Sequence, residues 1–266
     1  GKAPELYPVA LGIKDADGKH HLIEASRTLP RQLYLWAKSI SDTNDEPTPI
    51  NPISTLILTH FHLGHIDGIG QFGREALGAP VGSIRLITGK PVIDDLKKKS
   101  ALKPFRPEAI TNGSKVHLGT GVCLEFLRVP HREHEGSETY GIVVRGQNKS
   151  ILFLPDHDTY EETLDYHNMS SIREWFKSIK VDIAMVDGSF YSVQELADRR
   201  SDFGNIPHPP ISETLRLLGR RDAKNDPEIV FIHLNHSNPI LDNKEKQLEV
   251  EKAGWGVGLQ GQVWEI

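Results

Sequence analysis

The chain has 266 residues, 38% of them hydrophobic, and its 36 acidic and 31 basic residues leave a formal net charge of −5. That length buries one substantial core, so a single domain over 1–266 is expected, and a mixed charge without a basic patch excludes a general nucleic-acid or membrane-surface binder, leaving a small-molecule substrate as the expected partner. No apolar run approaches the roughly 18 residues that span a bilayer. One cysteine, Cys123, excludes an internal disulfide framework, so a metal would be held by carboxylates and by members of a set of thirteen histidines.

The opening GKAPELYPVA lacks the charged-then-apolar layout of a signal peptide. The chain reads as soluble, cytoplasmic or exported after removal of a leader, with its oligomeric state open. In chain order, YPVALGIK and HHLIEA around the turn DADGK predict a β-hairpin. LPRQLYLWAKSI has helical spacing, SDTNDEPTPINP reads as an exposed loop, and the buried strand STLILT feeds HFHLGHIDGIGQFGREALG, whose later part reads as a helix stopped by glycine. Strand IRLITG and the Lys-rich, solvated helix PVIDDLKKKSAL follow. CLEFLRV, YGIVV, SILFL, VDIAMV and EIVFI read as strands, and SIREWFKSI, ISETLRLLGRR and KEKQLEVEKAG as helices before WGVGLQGQVWEI. Strand clusters in both halves with peripheral helices predict an α+β sandwich of two sheets covered by helices. Cys123, inside an apolar strand, is expected as a buried packing residue.

Five predicted strands end in a residue type that binds metal: STLILT at His60, CLEFLRVP at His131, SILFLP at Asp156, VDIAMV at Asp187 and EIVFI at His233. Loops leaving a shared sheet edge would line one pocket. In His60-Phe61-His62 the period of an extended chain points both imidazoles to one side, and His65 returns as the chain turns into a helix. Nitrogen and oxygen donors of this kind suit zinc, and they also suit Fe(II).

THFHLGHIDG resembles the His-x-His-x-Asp-His signature of the metallo-β-lactamase superfamily, with Gly64 standing where the signature has aspartate. FIHLNHSNPILDN and VPHREHEGSETYG are similar to segments of the coenzyme PQQ synthesis protein B family. An opening strand and loop of those relatives have no counterpart before about Val9. The resemblance implies a four-layer αββα sandwich and one or two Zn2+ ions, with Fe2+ as the alternative. It places His60 and His62 at the first metal site, His65 at the second, Asp156 between them and His233 as the last histidine. The remaining first-site ligand is His131 or His134. Gly64 removes a usual ligand and predicts a single-metal or weakly loaded second site. His236 could replace the lost coordination or hydrogen-bond a ligand, Asp187 would support a ligand, and Asp67 would cap the helix after His65. His157 and Asp158 are candidate acids, and His208 belongs either to a substrate loop or to the surface. His20, His21, His117 and His167 read as ordinary exposed residues.

The leading expectation is a hydrolase in which the metal activates water and Asp156 orients it. The second is an iron-dependent oxygenase, which the PQQ-family resemblance brings in through hydroxylation of a tyrosine-derived precursor; the third is a non-catalytic metal- or ligand-binding protein. No P-loop, dinucleotide fingerprint or Gly-x-Ser-x-Gly elbow is present.

Overall fold

The DADGK turn closes a hairpin between β1 (Leu11–Lys14) and β2 (His20–Ile23), which pair antiparallel. Asp15 makes the turn: its carbonyl accepts from the Gly18 amide, its carboxylate accepts from the Lys19 amide, and Gly18 takes the left-handed φ of +78° that a side chain would resist. The structure is a computed structural model that describes residues 5–41, 47, 50–132, 138–196 and 207–266. The chain divides into two compact units, the first comprising Gly1–Phe126, Glu133–Glu138 and Leu259–Glu265, the second Leu127–Arg132, Thr139–Gly258 and Ile266.

In the first unit the hairpin leads to α1 (Leu29–Ser39), whose Pro30 sits in the first turn, where a missing amide costs nothing, and whose Leu29, Leu33 and Ala37 face inward at four-residue spacing. β3 (Thr55–Ile57), β4 (Ile84–Gly89) and β5 (Phe105–Ile110) then extend the sheet in the order β1-β2-β3-β4-β5, parallel from β2 onward. The short α2 (Leu63–Ile66) follows β3, and α3 (Lys90–Lys98) follows β4, burying Val92, Ile93 and Leu96 while its lysines stay outside. Leu22, Leu29, Leu33, Leu56, Phe72, Leu86 and Phe105 belong to this unit's core. β6 (Lys115–Gly119) pairs antiparallel with β7 (Val122–Val129), the strand that carries the chain from the first unit into the second.

In the second unit β8 (Thr139–Arg145) and β9 (Ser150–Leu154) pair antiparallel, and β10 (Ile183–Asp187), β11 (Glu228–Ile232) and β12 (Gly256–Val257) add parallel to β9. β9 and β10 are buried along their whole length, as parallel strands covered on both faces require. The crossovers are α4 (Tyr160–Tyr166) with α5 (Ile172–Ile179), α6 (Ile211–Leu218) and α7 (Lys244–Ala253). Tyr160, Trp175, Phe176, Val186 and Phe231 pack in one apolar cluster.

The mixed α+β class is the one expected, and several local expectations change. β5, β6 and α4 are additions: β5 alternates poorly, with Arg106 and Pro107 exposed between buried ends, and α4 is a short polar helix capped by Thr159, with Tyr160 and Thr163 its buried residues. The expected helix after His65 shrinks to the four residues of α2 and a 3-10 turn at Ile69–Phe72, because Gly68, Gly70 and Gly73 interrupt it. Asp67 lies at the C-terminal end of α2 and accepts from Arg27 Nε at 2.7 Å; it caps no helix start. Cys123 is half-buried rather than buried. His21 is buried against Thr55 and Asp15, and His167 is half-buried with Nε2 2.9 Å from the Arg128 carbonyl, so neither is an ordinary exposed histidine; His117 is exposed as expected. Most of the loop SDTNDEPTPINP, and Glu133 to Ser137 of VPHREHEGSETYG, lie outside the described residues.

Candidate metal-binding clusters

The first unit gathers its imidazoles at the end of β3. Thr59 and His60 leave the strand fully buried, and His60 Nε2 lies 3.0 Å from His62 Nδ1, so the two rings do turn to one side. α2 brings the His65 ring to 4.2 Å from that of His60. Behind them stands a residue that the sequence did not single out. Glu24 is 0% exposed just after β2, its backbone held in the left-handed region at φ +71°. The Thr59 hydroxyl donates to Glu24 Oε1, which also accepts from the Thr59 amide at 3.3 Å and lies 3.5 Å from His65 Nδ1. With its proton on Glu24, the Thr59 oxygen accepts from His60 Nδ1 at 2.8 Å, which leaves the His60 lone pair on Nε2. Carboxylate-to-imidazole support of this kind fixes the orientation of an imidazole and suits one that binds a metal.

The second unit builds its cluster from the C-terminal ends of parallel strands, which necessarily share one edge. β9 delivers Asp156 through Pro155, β10 ends at Asp187, and β11 delivers His233. The sheet register opposes Asp187 to Ile232, one residue before His233. His131, two residues beyond β7, joins them: its Nε2 is 3.4 Å from Asp156 Oδ2, and His233 Nδ1 is 3.2 Å from Asp156 Oδ1. His233 holds a left-handed φ of +59°, a strain compatible with a site that must aim one side chain.

Asp187, 0% exposed, organises the rest. One oxygen accepts from the Ser189 hydroxyl at 2.7 Å and its amide at 2.9 Å, while the other meets His208 Nδ1 at 2.6 Å. Ser189 Oγ is also 2.7 Å from His233 Nδ1. Gly188 permits this turn, since a Cβ there would sit 2.9 Å from the Ile232 carbonyl. His208 is thus part of the cluster, a role the sequence left between a substrate loop and the surface.

Burial opposes the charge on His131, but the hydrogen bonds it donates to Asp156 and Asp158 outweigh it and push the imidazole up to about 9. Asp158 is held below the usual carboxylate range, burial notwithstanding, by His131 and by Arg132, whose amide and Nε donate at 2.8 and 2.7 Å. His208 is raised because Asp187 overcomes its burial. His157, fully buried with Nδ1 3.0 Å from the Thr163 hydroxyl, is pushed down to about 4 by desolvation and stays neutral. His236 is exposed, its amide bonded to the Asn235 side chain, and His134 lies outside the described residues.

Two of the donor sets are each confined to one unit. Glu24, His60 and His65 present donor atoms within 4.8 Å of one another, as do Asp156, Asp187, His208 and His233. Imidazole nitrogen with carboxylate oxygen is the chemistry of a zinc or iron site, and Glu24 Oε2, buried without a hydrogen-bond partner among the described residues, is an acceptor that a cation would satisfy. Among the described residues no helix is long and apolar enough to cross a membrane.

The chain belongs to the metallo-β-lactamase superfamily: residues 22–234 match the family model described as a beta-lactamase superfamily domain. Within it, the chain is similar to coenzyme PQQ synthesis protein B of Rhizobium meliloti (strain 1021), 21% identical over 232 residues that cover 79% of this chain and 71% of the relative. The crystal structure of Zn(2+)-bound PqqB from Methylobacterium extorquens superposes with a TM-score of 0.72 at 16% identity, covering 97% of this chain and 87% of that one. The metallo-β-lactamase fold protein YhfI from Bacillus subtilis superposes with a TM-score of 0.62 at 13% identity, covering 95% and 88%. The fold is therefore that of the metallo-β-lactamases, as THFHLGHIDG led us to expect.

Proposed function

We propose that the protein is a metal-dependent hydrolase of a small molecule, with ligands drawn from His60, His62, His65, His131, Asp156 and His233, and with His134 as the alternative to His131. The observation that carries this reading is Asp156: a buried carboxylate with one oxygen 3.4 Å from His131 Nε2 and the other 3.2 Å from His233 Nδ1. Such a group, enclosed with imidazoles on both oxygens, suits a divalent cation and the orientation of an attacking water. A zinc or iron ion held there would supply Lewis acidity, lowering the pKa of bound water toward about 7 and polarising the bond under attack.

The residues of the chain do the rest. Asp156 orients the water and takes up its proton. Asp187 holds His208 directly and His233 through Ser189, so its part is to keep those rings aimed. His236, exposed shortly after β11, is available to meet substrate or to complete coordination.

Elemental mass spectrometry on the purified and the zinc- or iron-reconstituted protein tests this, beside a His60→Ala/His62→Ala variant. At least about one ion per chain is expected, lost in the variant, together with hydrolysis of a member of an ester, amide, lactone and phosphodiester panel. The variant should lose on the order of 100-fold in rate. A protein that takes up no metal would sink the reading.

A second reading, an iron-dependent oxygenase, is favoured by the similarity to proteins named coenzyme PQQ synthesis protein B. Oxygen consumption by the iron-loaded protein, with no cleavage by the zinc-loaded one, would decide for it.

A further inference from the structure

The chain carries a formal net charge of −5, yet the charged side chains lining one cleft of the first unit are Lys19, Arg85 and Arg106, with no carboxylate among them. The cleft, about 610 Å³ in volume, lies at the N-terminal ends of the parallel strands, where Thr55 of β3, Ile84 of β4 and Arg106 of β5 line it. The histidine segment leaves the opposite end of β3: five residues, about 16 Å of extended chain, separate Thr55 from His60. A space of this size is that of a small-molecule pocket, which spans roughly 300–1,000 Å³.

Much of the lining is apolar: Ile53, Phe72 and Ile84 are buried there, and Leu77 is half-buried. The wall beside them is fixed by its own backbone. The Gly82 amide donates to the Lys103 carbonyl at 3.1 Å, the Ser83 amide to that of Pro80 at 3.2 Å and the Ile84 amide to that of Pro104 at 3.1 Å, with Gly82 at a left-handed φ of +65°. The Gly78 and Ala79 amides are likewise spent, on Gly73 and Phe72, so this wall offers no nest of N–H groups of the kind that holds phosphate. Side chains are the remaining donors. Arg85 is occupied, with Nε and Nη2 donating to Glu108 at 2.8 and 3.0 Å and Nη1 to the His117 carbonyl at 2.7 Å, and both ring nitrogens of His21 are spent on Thr55 and Asp15. Lys19 and Arg106 are exposed, and neither side chain has an ion pair or hydrogen bond among the described residues.

We propose that this cleft binds a small organic acid, its apolar body against Ile53, Phe72, Leu77 and Ile84 and its carboxylate met by Lys19 and Arg106. Removing the apolar body from water supplies affinity, and the two cations select for charge. The planar fork of Arg106 matches a carboxylate through two parallel N–H···O bonds, which a lysine alone does not offer. The cleft shares no residue with either donor set of imidazoles and carboxylates described above, so it is a ligand site beyond the one that the hydrolase reading requires.

The test uses the full chain, titrated calorimetrically with 3-phenylpropionate and with its uncharged counterpart 3-phenylpropanamide. The acid is expected to bind about tenfold or more tightly than the amide, and that advantage should vanish in Lys19→Gln/Arg106→Gln, whose two changes lie at exposed positions. Crystals of the unaltered protein soaked in 3-(4-bromophenyl)propionate give a readout independent of how the variant folds: an anomalous bromine peak is expected beside Phe72 and Leu77. An acid that binds no more tightly than the amide, a double variant that binds it as well as the parent does, or bromine found only at the imidazole clusters would overturn the proposal. Each of those outcomes leaves the hydrolase reading standing, since that reading depends on metal uptake and cleavage alone.

Discussion

His21 shows how a single residue changes meaning once its neighbours are known. In sequence it is one of two adjacent histidines beside a turn; in the fold it is buried in β2, with Nδ1 3.0 Å from Thr55 Oγ1 and Nε2 3.1 Å from Asp15 Oδ2. Burial lowers its pKa more strongly than Asp15 raises it. The unfolded chain, with an ordinary value near about 6.5, then binds more protons than the folded one. The stability His21 contributes is complete above that pH and is lost as pH falls through the folded value. The Asp15 carboxyl is also held low, by His21 and Lys19 against its burial, so its contribution fades at still more acid pH. The urea midpoint is expected to fall between about pH 7.5 and 5.5, and His21→Asn should flatten that slope; an unchanged slope would assign the acid sensitivity elsewhere. Glu24 escaped the sequence for a related reason. Its partners Thr59 and His65 are 35 and 41 positions away, and a glutamate closing HHLIEA looks like the polar end of a strand.

Among the elements, the strands that carry the second cluster were the most legible, since an apolar run ending in a residue type able to bind metal announces both the strand and the edge where that residue emerges. β9, β10 and β11 proved parallel and so place Asp156, Asp187 and His233 at one edge. The turn after β10 was not legible, because Ser189 and His208 acquire their roles only through Asp187. Caps offer a quantitative check. Ser171 accepts from the Glu174 amide at 3.2 Å at the exposed start of α5, and Ser171→Ala should cost about 1 kcal/mol. Asn238, 2% exposed, accepts from the Ile240 amide at 3.0 Å and donates to the Gly188 carbonyl at 2.7 Å. Asn238→Ala strands both buried partners and should cost more, about 2–3 kcal/mol. Equal losses in the two variants, read from denaturant unfolding, would contradict this ordering. Asn238 and Ile240 of the Asn-Pro-Ile-Leu segment are buried, and Asn238 brackets Gly188 and Ser189 from behind, a purpose the segment's similarity to other chains did not reveal.

For the molecule as a whole, each unit concentrates buried carboxylates with imidazoles, and a cation that binds only the folded chain must raise its stability. At free Zn2+ about 100 times the dissociation constant, one site adds about 2.7 kcal/mol. Thermal unfolding should therefore move upward on reconstitution and return on chelation, and a melting temperature indifferent to both would argue against either cluster binding metal.

Both donor sets contain only nitrogen and oxygen, and the one cysteine of the chain belongs to neither. Without a thiolate, softness cannot select among first-row ions, and affinity should climb from manganese through iron and cobalt toward copper before dropping at zinc. The ion carried by freshly isolated protein will then record the supply in the growth medium, and cultures fed with different metals should yield differently loaded preparations of the same fold.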